Sequence, residues 1–371
     1  MKRFLALICL VSLMLPCRAL AENAEWETAA EAVRHMRIGW ILANTFDSYG
    51  GWIATSTKAT PTDFETAWGN PVTTRELIHC VKDAGFGAVR VPVTFAQHID
   101  ESGRIEQAWL DRVAEVVGYV LDEGLYCVLN THHDTGVDGW LHATRTDCDA
   151  TRARFVTLWT QLATRFEPCG ERLIFESFNE ILDEKNEWNT PAPEALAIVN
   201  EFNQAFVDAV RATGGNNARR NLAVNTYAAA NTPLVLGGFA LPTDAVEGRL
   251  MAQVHSYDPW AFTSKSATWT AMTDVWSPAR YPAQLVELYN RLDETFLQKG
   301  IPVIVGEFGS EDKNNTADRA QWAQCVVKIA AKHGIPCFYW DTSTFALLDR
   351  RTLTWTYPEI VAAMMDALPA N

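Results

Sequence analysis

The chain has 371 residues, 48% of them apolar and 20% charged, and a formal net charge of −14. That composition supports a buried core and excludes a disordered or collagen-like chain. The acidity argues against a nucleic-acid partner and against anionic membrane surfaces, both of which call for a basic footprint. The 14 tryptophans supply large flat apolar faces, which suit stacking on sugars. A neutral, sugar-like ligand is therefore the expected class of partner.

At the start of the chain, Lys2 and Arg3 precede an apolar run from Phe4 to Pro16, and Ala19-Leu20-Ala21 follows. This is the pattern of a secretory signal peptide, residues 1–21, and predicts an exported protein that begins at Glu22. The run is too short for a membrane span, and no later apolar segment reaches the necessary length. Beyond it lie Cys80, Cys127, Cys148, Cys169, Cys325 and Cys337, too few for a disulfide scaffold in a chain this long. Cys127 and Cys337 fall in apolar, strand-like runs and read as buried thiols. Cys148 and Cys169 flank a helical stretch that would hold them too far apart to bridge. No two cysteines have the close spacing of a zinc site, so no metal site is expected.

From 22 to 371 there is no linker and no low-complexity tract, which reads as a single domain. Short β-branched or aromatic runs alternate with helical stretches. The strands are predicted at 38–43, 88–92, 126–130, 173–178, 222–225, 250–255, 303–305 and 337–340. The helices are predicted at 74–84, 108–123, 151–166, 193–213, 282–298, 316–333 and 358–368. The segment after Val224 leaves room for only a short helix. Eight strands alternating with helices predict an α/β fold of the (β/α)₈ barrel type. No Gly-rich phosphate fingerprint follows the first strand, which disfavours the doubly wound alternative.

In such barrels the chemistry sits where the strands end. Here those ends carry Asn44, Arg90, His132 and His133, Asn179 and Glu180, His255 and Tyr257, Glu307, and Trp340 and Asp341. Glu180 ends LIFESFNE and Glu307 ends IPVIVGE. Two carboxyl groups on facing strand ends can divide glycoside cleavage, one protonating the leaving oxygen and one attacking or activating water. Each alone could equally be a helix cap or half of an ion pair. Arg90, inside the apolar run AVRVPV, must meet a carboxylate, because an unpaired charge there is costly. Glu176 and Glu307 are its candidate partners, and both could share it. Adjacent strand residues face opposite ways, so only one of His132 and His133 should face the reacting centre, and His132 is the choice. His255 and Tyr257, two apart, share a face, and Tyr257 could donate its hydroxyl to Glu307. Trp340 would floor a sugar ring. Trp109, Trp159 and Trp322, on helices, read as packing.

In order along the chain, GWILANTFD, WGNPVTT, VRVPVTF, VLNTHHD, FESFNE, VHSYDPW, VGEFG and FYWD together resemble glycoside hydrolase family 5, the family of cellulases and related β-glycanases. The resemblance covers nearly all of the chain after residue 21. Its most specific signals are the Asn-Glu pair after the fourth strand and the Glu after the seventh. It implies a (β/α)₈ barrel and a retaining double displacement that needs no metal or cofactor, with Glu180 as acid/base and Glu307 as nucleophile. It further implies a substrate-binding set of Arg90, His132, His133, Asn179, His255, Tyr257, Trp340 and Asn44. THHD, SYDPW and WGNPVTT look most like bacterial endoglucanases. The first segment departs from the family: Ile41 replaces a polar residue and Ala43 a glycine. A monomer acting on a β-glucan is expected, with xyloglucan or mannan as alternative substrates. A barrel that binds polysaccharide without cleaving it is the alternative from another class. The negative charge of Glu307 is expected to raise the pKa of Glu180. A carboxyl separation of roughly 5–5.5 Å is expected for the retaining mechanism.

Overall fold

Eight parallel strands close into a barrel in sequence order, the eighth pairing with the first. The computed structural model describes residues 26–53, 59–136, 138–266 and 272–370, so the predicted signal peptide lies outside the described residues. The order is α1 (Ala29–Met36), β1 (Gly39–Ile41), α2 (Pro61–Glu65), α3 (Arg75–Asp83), β2 (Ala88–Val93), α4 (Gln107–Asp122) and β3 (Tyr126–Thr131). It continues with α5 (Cys148–Phe166), β4 (Leu173–Glu176), α6 (Pro193–Ala212), β5 (Leu222–Asn225), α7 (Pro233–Gly238), β6 (Leu250–His255) and α8 (Trp260–Thr263). It closes with α9 (Tyr281–Thr295), β7 (Val303–Phe308), α10 (Thr316–Lys332), β8 (Cys337–Trp340), a short hairpin of β9 (Leu348–Asp349) and β10 (Thr354–Trp355), and α11 (Pro358–Asp366). The fold is a (β/α)₈ barrel, as the alternation predicts.

Two cores arise from the two faces of the strands. The outward residues pack against the helices, and there Trp109, Trp159 and Trp322 are fully buried, as expected of helix packing. The inward residues form a smaller core of Ile41, Ala88, Val128, Ile174, Met251, Ile304 and Phe338 among others. Gly39 makes room for Phe338 in that layer, since a Cβ on Gly39 would stand 2.1 Å from the ring. Helix α1, which the strand–helix alternation does not predict, closes this inner core from one end. Its Ala29, Ala32, Val33 and Met36 pack into it, and its start is fixed by a Thr28–Glu31 capping box. Cys127 and Cys337 are buried thiols, and Cys148 opens α5. No helix among the described residues is long and apolar enough to cross a membrane.

The inward face changes character along the barrel. Two residues beyond the apolar layer, the same face carries Arg90 after Ala88, Asn130 after Val128, Glu176 after Ile174, Asn225 after Ala223 and Gln253 after Met251. All five polar side chains are fully buried. The period-two geometry of strands stacks this polar layer on the apolar one. It forms the floor on which the strand ends assemble.

Candidate active site

Arg90 organises the floor. Its Nε and Nη2 donate to the two oxygens of Glu176, both at 2.7 Å, and its Nη1 donates to Glu307 Oε1 at 2.7 Å. Nη2 also donates to Asn179 Oδ1 at 3.0 Å. Both expected partners of Arg90 are therefore real, and it serves both at once. Burial works against a charged guanidinium, but the two carboxylates outweigh it and raise the pKa of Arg90. For Glu176, burial acts against the charge too, yet Arg90 and the 2.9 Å donation from Asn130 Nδ2 win and lower its pKa. The bidentate pair fixes the guanidinium plane, and so fixes Glu307.

Glu307 lies inside β7, which runs three residues further than predicted, to Phe308. Its second oxygen, Oε2, accepts from the Tyr257 hydroxyl at 2.8 Å and lies 3.6 Å from His255 Nδ1. Burial, then the charges of Glu307 and Glu180, push the Tyr257 pKa well up, so the phenol keeps its proton for that bond. His255 and Tyr257 share a face as their spacing predicts.

Glu180 is in a different setting. β4 ends at Glu176, two residues earlier than predicted, and Asn179 and Glu180 stand on the loop that follows. The Glu180 side chain keeps 25% of its surface open to the cleft. His255 Nδ1 lies 2.8 Å from its Oε1. Burial pushes the Glu180 pKa up to about 7, against an opposing pull from Arg90. The raised value was expected, but its cause was not: desolvation supplies it rather than the charge of Glu307. Ligand atoms of Glu180, His255 and Glu307 all lie within 4.8 Å of one another. One oxygen of each carboxyl group thus comes within 4.8 Å of the other, with His255 Nδ1 near both.

Around the pair runs a cleft of about 660 Å³, lined among others by His132, His133, Trp188, Trp260, Trp340 and Phe345. Its floor includes Trp340, whose ring lies parallel to that of His132, 11° between planes and 5.8 Å between centroids. Both adjacent histidines face the cleft, which corrects the expectation that only one would. β3 ends at Thr131, so the alternation of strand side chains no longer applies at 132 and 133. Burial lowers the pKa of both, that of His133 to about 4, and both rings are neutral. His132, His133 and Asp47 also bring ligand atoms within 4.8 Å of one another. The Asp47 carboxylate already accepts from the backbone N–H groups of Asn44 at 3.0 Å and Thr45 at 2.6 Å.

Asn44 does not join the cleft lining. It takes a left-handed turn conformation, φ 53°, and its amide donates to Ser343 Oγ at 3.3 Å. Asp341, also at a strand end, is buried and accepts from Trp40 Nε1 at 2.6 Å. Residues that the sequence reading passed over include Asn130 and Asn225, each a polar end to an apolar strand run. That signal was present in the sequence. Trp188, on the long β4–α6 connection, carried no periodic signal at all. A larger groove of about 970 Å³, lined by 97–107 and the outer faces of α4 and α5, carries no such acid pair.

Comparison with known proteins accords with this geometry. The description Cellulase (glycosyl hydrolase family 5) matches residues 51–346. The chain belongs to glycosyl hydrolase family 5. It is 38% identical over 354 residues to Endoglucanase A of Clostridium longisporum, covering 93% of this chain and 66% of that protein. It thus spans just under two thirds of that relative. Among solved structures, a broad specificity endoglucanase from Ruminococcus champanellensis with bound cellotriose superimposes with a TM-score of 0.86 at 41% identity, covering 92% of this chain and 99% of that one. A mutant family 5 enzyme from Prevotella bryantii in complex with a xyloglucan tetradecasaccharide gives 0.84 at 38% identity, with 92% and 99% covered.

Proposed function

We propose that this family 5 protein is an exported endo-β-1,4-glucanase that cleaves β-glucan chains with net retention. Glu307 is the nucleophile and Glu180 the acid/base. In this reading residues 1–21 are removed on export, and 22–371 act as a single catalytic domain and as a monomer. The observation that carries the reading is the pairing of Glu307, tied to Arg90 and Tyr257, with a Glu180 whose pKa is raised by burial to about 7 and one of whose oxygens lies within 4.8 Å of an oxygen of Glu307. Two acids in such different surroundings take different roles.

The chemistry follows from those contacts. A Glu307 oxygen attacks the anomeric carbon while Glu180 gives its proton to the departing oxygen, and a glycosyl-enzyme ester forms. Glu180, now a carboxylate, takes a proton from water. That water attacks the anomeric carbon, and Glu307 is released. Asn179 spends its Oδ1 on Arg90. Its amide nitrogen is thereby turned away from Arg90 and can donate to a sugar 2-hydroxyl, a bond that strengthens in the transition state. Trp340 and His132 give the ring at the cleavage point a flat apolar face.

Cellotriose bound to one neighbour supports a β-1,4-glucan as substrate, and the xyloglucan complex of another supports a cleft that tolerates branched chains. The test is reducing-sugar release from carboxymethylcellulose, barley mixed-linkage glucan, xyloglucan and mannan in parallel. Release from the cellulose derivative or the mixed-linkage glucan is expected. Release from xyloglucan or mannan alone keeps the mechanism and changes the substrate. No release from any of the four would overturn the reading in favour of a barrel that only binds polysaccharide.

A further inference from the structure

Below the acid pair, Gln253 makes a contact that the mechanism above does not use. It stands on β6 two residues before His255, on the same inward face, and is fully buried. Its amide Nε2 lies 3.4 Å from His255 Nε2. Its Oε1 meets no hydrogen-bond partner among the described residues, so His255 is the group this amide serves. The neighbouring strand is shaped to let it through. A Cβ on Gly306 would stand 2.4 Å from the Gln253 amide carbon and nitrogen. The β6–β7 pairing also skips Gly306, passing from Val254 opposite Val305 to His255 opposite Glu307. Gly306 therefore leaves the space in which the amide sits under the imidazole.

An amide nitrogen can only donate, so the His255 Nε2 that faces it must accept. A neutral imidazole with an accepting Nε2 carries its proton on Nδ1, and burial keeps this imidazole neutral, with its pKa lowered to about 4. Nδ1–H then donates to Glu180 Oε1, 2.8 Å away. Once Oε1 accepts that bond, the acid proton of Glu180 belongs on Oε2.

We infer that Gln253 is a positioning residue that fixes the Nδ1–H tautomer of His255, and through it places the transferable proton of Glu180 on Oε2. The inference rests on the role proposed for Glu180. Without the amide, the His255 proton can move to Nε2. Nδ1 then becomes an acceptor that draws the Glu180 proton onto Oε1, away from the leaving oxygen.

The test combines ring-nitrogen NMR of ¹⁵N-histidine-labelled full chain with turnover of aryl β-cellobiosides of graded leaving-group pKa. In the unsubstituted protein, His255 should show a protonated Nδ1 and an unprotonated Nε2. In Gln253→Met the Nε2–H form should appear. The kcat/KM should then fall about tenfold for poor leaving groups, which need the acid, and stay unchanged for 2,4-dinitrophenyl cellobioside, whose first step does not. A proton on Nε2 in the unsubstituted protein overturns the inference even if Gln253→Met fails to fold. So does an unchanged tautomer in the variant, or a uniform loss across all leaving groups. Absence of turnover by the unsubstituted protein would instead defeat the proposed function, and the NMR reading does not depend on turnover.

Discussion

The floor of the cleft and its rim are built on different terms. The floor, with Arg90, Asn130, Glu176, Gln253 and Glu307, is carried by strands whose backbone is fixed by parallel pairing on both sides. Every charge in it has a partner at hydrogen-bond distance. The rim is carried by connections. Trp188 and Trp260 stand 46% and 36% exposed on the β4–α6 and β6–α9 sides. Next to His133 of the lining, Tyr49 and Trp68 complete a three-ring cluster with centroids 5.2–5.5 Å apart. The nucleophile and the groups that fix it are thus assigned to rigid strands, with Glu180 just beyond the end of β4, and recognition of a long polymer to more adaptable connections. Changes to the floor should alter turnover, whereas changes to the rim should alter KM.

The sharpest way to break that contrast is Glu307→Gln. The amide matches the carboxylate in shape and can still meet Arg90 and Tyr257, but it is not a nucleophile. Turnover should drop by more than about 10³-fold, with the circular dichroism spectrum and melting behaviour close to those of the parent. Substantial residual turnover would move the nucleophile elsewhere. Arg90→Met tests the same floor through stability as well as rate. It leaves Glu176 and Glu307 buried without their common cation, and losing one partner of a buried pair costs about 3–5 kcal/mol. Denaturant titration should register that loss. A change below about 1 kcal/mol would mean that water compensates these carboxylates, and that the floor is less dry than it looks.

The next effect is one of pH. The pKa of Glu180 is raised by burial to about 7, far above that of an ordinary carboxyl. Its protonated form is the one that cleaves, so kcat/KM should hold below that value and fall about tenfold per pH unit above it. That alkaline limb should be present with a poor leaving group and vanish with 2,4-dinitrophenyl cellobioside, which needs no acid. If the limb persists on the activated substrate, it belongs to another group. His133 and His255 are poor candidates, since burial lowers both to about 4.

The same division explains what the sequence could say. Arg90, Glu176 and Glu307 interrupt apolar runs, and a charge inside a strand must be paired, so their importance is legible without a structure. Asn130, Asn225 and Gln253 carry the same signal in weaker form, because a neutral amide in a strand is less costly and therefore less conspicuous. The alternation rule failed where the strands stop: it separated His132 from His133, which the turn after Thr131 brings together. Thr28 and Glu31 spell out the cap of helix α1, but strand–helix alternation does not predict an element that precedes the first strand. The rim was illegible for a deeper reason. Nothing in local sequence fixes where a tryptophan on a long connection will come to rest.

The smallest expected effect falls on that rim. Trp188→Ala removes an exposed ring that lines the cleft but supports no core. Stability should therefore stay within about 0.5 kcal/mol of the parent, the range of ordinary surface substitutions. An aromatic face against a sugar is worth roughly 1 kcal/mol. KM on a long β-glucan should accordingly rise by about fivefold, with kcat little changed, since a contact remote from the bond being broken binds ground state and transition state alike. Short aryl cellobiosides, which need not reach the rim, should be cleaved as by the parent. A fall in kcat on both substrates would show that Trp188 acts on the acid pair itself, and the separation of floor from rim would fail at that residue.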